Sequence, residues 1–185
     1  FSALAIVFDV LSDAFPLRVV WGMKVDFVGT MWVLSYFLHG LSVAFPVSAI
    51  TTLYIIFGTP TGLVGGVMKF VATIPMFLVP VLISYLPFFS SRSAKSFNNV
   101  FLIVGVTILG NVVRLLVTTT ANYYWAIPLW TGIPTGRILD IMFGGSLTEF
   151  IVFVALLNVL QGIVDIFVPW FIAFKFKLSA MYGTW

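Results

Sequence analysis

Lys69 is the only charge in the apolar run LVGGVMKFVATIPMFLVPVLISYL, Leu63 to Leu86. An ammonium in so apolar a segment is costly unless it faces a partner, a ligand or water. The chemistry it offers is therefore binding: a cation and hydrogen-bond donor held in a protected place. Other polar residues recur at helical spacing. Gly62, Gly66, Lys69 and Thr73 follow one another at intervals of four, three and four, and so do Thr107, Asn111, Arg114 and Thr118. Asn158, Gln161 and Asp165 recur at three and four. Each set forms a stripe on one helix face, and such a stripe in a membrane helix faces protein or water, not lipid.

Groups that would do covalent chemistry are scarce. The chain has no cysteine, which removes thiol nucleophiles, disulfides and Cys-based metal sites. His39 is the only histidine and lacks the second ligand a metal site needs. No GxxxxGK[ST] pattern occurs, so the chain does not hydrolyse ATP by itself, and no GxSxG elbow occurs. Asp9 and Asp13 lie four apart and would be the one candidate proton relay, although cap or loop contacts explain them as well. The chain is not expected to be an enzyme.

The elements that must carry the stripes follow from composition. The 185 residues are 61% hydrophobic and 8% charged. A soluble domain carries about 25% charged residues, and a span needs about 20 residues, so about six fit. The expectation is an all-α integral membrane protein forming one domain over 1–185 with six transmembrane helices. Pro and Gly punctuate the runs. Span one covers Phe1 to Phe15, and residues are expected to precede Phe1. Spans two and three share Phe27 to Phe57, with a turn near His39 and Gly40. Span four runs from Leu63 to about Phe89, span five from about Asn99 to Thr120, and span six from about Leu147 to Phe174. The segment ANYYWAIPLWTGIPTGRILDIMFGG between the last two reads as a long loop.

Loop charge orients the bundle. Arg92, Lys95, Lys175 and Lys177 fall on one side, against Arg18, Lys24 and Arg137 on the other, which favours cytoplasmic termini. The charge balance of +3 makes no case for nucleic acid. At 1.5 Å per residue, Lys69 lies about 10 Å, Arg114 about 9 Å and Asn158 about 16 Å below the outer ends of their helices. The polar groups thus concentrate in the outer half, below loops bearing Trp21, Lys24, Asp26, Asn122, Tyr123 and Trp125. A pocket open to the outside is one reading. The other is structural: Lys69 paired with Asp165 or Glu149, Arg114 with Asp9 or Asp13, and the amides as interhelical glue.

Five local patterns resemble the S components of energy-coupling factor (ECF) transporters, above all the riboflavin-binding kind. Lys24-Val25-Asp26-Phe27 is similar to the K-[IV]-D-F that leads into that family's second helix. Pro60-Thr61-Gly62 opens span four, and Met68-Lys69-Phe70 stands where riboflavin binders read ANF. Asn122-Tyr123-Tyr124 with Pro128 is similar to N-Y-[FY]-x-x-x-P, and Asn158 to Gly162 to N-x-x-K-G. Two positions depart: Lys69 replaces an Asn, and Gln161 replaces a Lys. The small-residue patch on the family's first helix is only hinted at by Ser2, Ala3 and Ala5.

The resemblance implies a six-helix vitamin-binding subunit in the plasma membrane. It would capture its ligand at the outer face, then dock on one transmembrane subunit and two ATPase subunits for release inside. Riboflavin would be cargo, not cofactor. The expected binding set is Trp21, Lys24, Asp26, Thr61, Lys69, Asn111, Arg114, Asn122, Tyr123, Asn158 and Gln161. Trp21, Tyr123 and Trp125 would offer aromatic faces to a flat ring, and Lys69, Asn158 and Gln161 hydrogen bonds to its edge. Moving the cation from span six to span four either keeps one charge in the pocket or changes the ligand. Thiamine, folate, pantothenate or a cobalamin precursor are then the alternatives, a carboxylate or phosphate suiting Lys69 with Arg114. A membrane enzyme or structural subunit is the third reading, resting on Asp9, Asp13 and Asp140.

Overall fold

A computed structural model describes residues 1–12, 23–87 and 93–182. The described residues are mostly helical, with no strand among them. Four helical runs are long and apolar enough to cross a membrane: Leu41–Gly58, Gly62–Ser84, Val100–Thr131 and Leu147–Lys175. The first two are α3 and α4, which follow α1 (Ser2–Ser12) and α2 (Val28–His39). The third begins as α5 (Val100–Ala121), and the fourth as α8 (Leu147–Trp170). Six segments are therefore in place, but α1, with 11 described residues, and α2, with 12, fall short of spanning length.

α2 is internal. Every residue from Val28 to Leu38 is buried, against α1, α3, α4 and α8. With no face toward lipid or water, it needs no amphipathic pattern. Gly40 separates it from α3 at φ 78°, a conformation glycine adopts without strain, and its N–H closes the last turn on the Tyr36 carbonyl at 2.8 Å. The turn expected near His39 and Gly40 is thus present.

α5 packs between α4 and α8, and α3 against α4. Small residues allow two of the close approaches. A β-carbon on Gly66 would press on Ile56 and on the Thr52 carbonyl of α3, and one on Gly162 would collide with Asn111 of α5. Asn99 starts α5 by accepting the N–H groups of Phe101 and Leu102, and Ser146 starts α8 by accepting that of Glu149.

The segment 121–146 is not the loop its prolines and glycines suggest. α5 runs on through a wide π-helical turn, Asn122–Ala126, into α6 (Ile127–Thr131). Pro128 has no N–H to give an α-helical turn, and the wider turn just before it accommodates the missing bond. Gly132, at φ 73°, ends the run with an N–H to the Pro128 carbonyl. α7 (Ile138–Met142) then folds back, and Ile127, Ile138, Phe143, Phe150 and Val154 form a small core of their own.

The main core fills the other end of the bundle. Trp32, Tyr36 and Phe37 of α2, Phe77 of α4, Phe97 and Phe174 are all buried there. Phe97, on the turn Ala94–Asn98, accepts a hydrogen bond from the Trp170 indole at 2.8 Å through its carbonyl.

Candidate functional site

One cavity opens where α2 and α4 begin, α5 ends and α8 passes at mid-length, with about 840 Å³ of empty space counting its mouth. Of the eleven residues expected to bind a ligand, eight line it: Lys24, Asp26, Thr61, Lys69, Arg114, Asn122, Asn158 and Gln161. The three polar stripes thus converge, as their depths and spacing predict.

Their charges are spent on one another. Lys69 Nζ donates to Asp26 Oδ1 at 2.6 Å, and the same oxygen accepts the Val28 N–H that begins α2. Arg114 donates through NH1 to Asp165 Oδ2 at 2.8 Å and through Nε to Asn158 Oδ1 at 3.0 Å. Lys24 pairs with Asp9 at 2.7 Å. Gln161 joins the first two pairs. Its Oε1 accepts the Asp26 N–H, and its Nε2 donates to the Asp26 carbonyl and to Asp165 Oδ1, both at 2.7 Å. The structural pairings named from sequence are corrected here: Lys69 takes Asp26 instead of Asp165 or Glu149, and Arg114 takes Asp165 instead of Asp9. Asp26 sits at the lead-in to α2, directly across from α4, whereas Asp165 lies deeper and faces α5. Asp13 lies outside the described residues.

What remains for a ligand is mostly N–H. A lysine has three donors and an arginine five; Lys69 uses one on Asp26, and Arg114 two on Asp165 and Asn158. The amide N–H groups are partly used. Asn158 donates back to Val154 O and Asn122 to Thr118 O, each one turn earlier on the same run. Thr118 also lines the cavity, and its hydroxyl is buried with no hydrogen-bond partner among the described residues. The site as built is a wall with spare donors whose charges, among the described residues, are balanced once Asp165 behind it is counted.

Three of the expected residues do not line it. Asn111 lies one turn deeper, against Gly162, where it donates to Thr107 O at 3.0 Å. Tyr123 turns away to pack on Phe150, with ring centroids 5.6 Å apart, because the π turn rotates it toward the small core. Trp21 lies outside the described residues. Trp125, offered as an aromatic face, is not on the wall either.

Trp130 and Thr118 do line the cavity and were not in the expected set. Their signal was present: Arg114, Thr118, Asn122, Ala126 and Trp130 continue the α5 stripe at steps of four. Ending the helix at Thr120 hides Trp130, whereas Thr118 stands on the stripe but outside the binding set. Asp165, the partner of Arg114, stood on the α8 stripe but was left out of the site.

Compared with known proteins, the chain finds no match: no family model, no curated protein and no solved structure is similar to it.

Proposed function

We propose that the chain is a six-span membrane subunit that binds an uncharged vitamin, riboflavin, for uptake. It works in the manner of an ECF S component and relies on a separate transmembrane subunit and two ATPase subunits. The observation that carries this reading is the cavity itself. Polar stripes from α4, α5 and α8 meet Asp26 and Thr61 around one opening, their charges cancel, and their unused capacity is donor N–H. Riboflavin suits such a wall, since its flat ring is uncharged and carries carbonyl acceptors along one edge. Trp130 supplies an aromatic surface on the same wall.

Ligands bearing a carboxylate or phosphate suit it less. They were attractive when Lys69 and Arg114 were read as free, but each holds a carboxylate at 2.6–2.8 Å. The cavity end is taken as extracellular and both termini as cytoplasmic. Lys95, Lys175 and Lys177 at the far end support that orientation.

The test is a fluorescence-quenching titration of the detergent-solubilised chain with riboflavin, alongside Lys69→Ala. Saturable quenching by the wild type that is lost in the variant supports the reading. A wild type that never quenches riboflavin sinks the flavin assignment, and a vitamin panel read by thermal shift then decides the ligand.

A further inference from the structure

Among the described residues, five charged side chains line the cavity: Asp9, Lys24, Asp26, Lys69 and Arg114. Three are cations and two are carboxylates, so the wall alone carries a net charge of +1. Asp165 brings the sum to zero from behind. It does not line the cavity, is 0% exposed, and holds the Arg114 guanidinium at 2.8 Å. The fold makes room for it: a β-carbon on Gly29 of α2 would collide with its carboxylate. An apolar pair would pin α5 to α8 as firmly as this ion pair does, without the penalty of burying two charges. The carboxylate therefore contributes something packing does not, namely the potential inside the cavity.

We infer that Asp165 is a positioning residue that sets specificity without touching the ligand. By neutralising Arg114 it keeps the cavity electrically neutral, so an uncharged ligand enters and its phosphorylated form is rejected. The inference rests on the reading of this cavity as the ligand site. An anion could still accept the spare N–H groups of Lys69 and Arg114, but it would find their charge already balanced by Asp26 and Asp165 and would meet those carboxylates at close range. Attraction between unit charges a few ångströms apart in a partly buried site shifts affinity by about tenfold or more.

Asp165→Asn keeps the side-chain shape and removes the charge. Two measurements on the solubilised full chain read the result: the thermal shift with inorganic phosphate, and the relative affinities for riboflavin and its phosphate ester. The wild type should show no stabilisation by phosphate and a strong preference for riboflavin. Asp165→Asn should gain phosphate-dependent stabilisation and shift the preference toward the ester by about tenfold or more. Adding Arg114→Gln to it should return both readouts to the wild-type pattern. Should Asp165→Asn fail to fold, Asp9→Asn on the cavity wall raises the cavity charge by the same amount and should move both readouts the same way. A folded variant with unchanged preference and no phosphate response overturns the inference, and so does a wild type that binds the ester as tightly as riboflavin. If no variant binds either flavin, the flavin reading fails, and the phosphate response alone decides the role of Asp165.

Discussion

The two ends of this bundle are held together by opposite means. At the cavity end, Asp9–Lys24, Asp26–Lys69 and Asp165–Arg114 hold the helices at a distance, around open space. At the far end, rings interlock: Phe37 lies with its centroid 6.0 Å from that of Phe97 and 5.5 Å from that of Phe174. Dispersion and apolar burial reward filling volume and are indifferent to direction. Hydrogen bonds and ion pairs fix direction and can brace a wall whose inner side is empty. A fold that must keep a hole while remaining rigid has reason to use both, each at its own end.

That contrast can be broken from either side. The largest effect is expected for Arg114→Leu, which strands the buried Asp165 carboxylate and should cost about 3–5 kcal/mol of stability. Equilibrium unfolding in detergent measures it. Arg114→Leu with Asp165→Leu should recover most of that loss while leaving ligand binding impaired.

At the other end, Phe37→Ala should cost about 3 kcal/mol through the space it opens. Riboflavin affinity, measured in the same preparation, should stay at the wild-type level. A matching fall in affinity would mean that the two ends are not independent.

Lys69→Ala removes the one cation of α4. Losing a hydrogen bond from a charged group costs about 1.5–3 kcal/mol, or about 10–100-fold in riboflavin affinity. Unaltered affinity would make Lys69 a brace for α2 and nothing more.

The smallest effect separates binding from folding most cleanly. Thr118→Val deletes a buried hydroxyl that has no partner among the described residues. Stability should hold or rise slightly, while affinity falls by about 1 kcal/mol. Falling stability with unchanged affinity would place the hydroxyl outside the ligand's reach.

The sequence made the stripes legible because helical spacing alone puts Lys69, Arg114 and Asn158 on single faces. It also located the starts of α5 and α8, where Asn99 and Ser146 supply side-chain caps. It did not reveal which charge meets which. Pairing depends on how helices neighbour one another and how deep each residue sits, and stripe spacing carries neither. Thus Asp165 was matched with Lys69, although α8 presents it to α5. The segment after Ala121 was misread for another reason. Pro128 and Gly132 signal a break, yet the proline falls where a π turn absorbs it and the glycine comes eleven residues too late to mark the end of α5.

Gln161 has a consequence of its own. Its amide accepts the Asp26 N–H and donates to the Asp26 carbonyl, giving that residue the two partners a neighbouring strand would give it. A residue outside any helix is thereby tied to the middle of α8. Its amide proton should exchange with solvent as slowly as those of the core, and the segment that leads into α2 cannot swing free unless α8 lets it go.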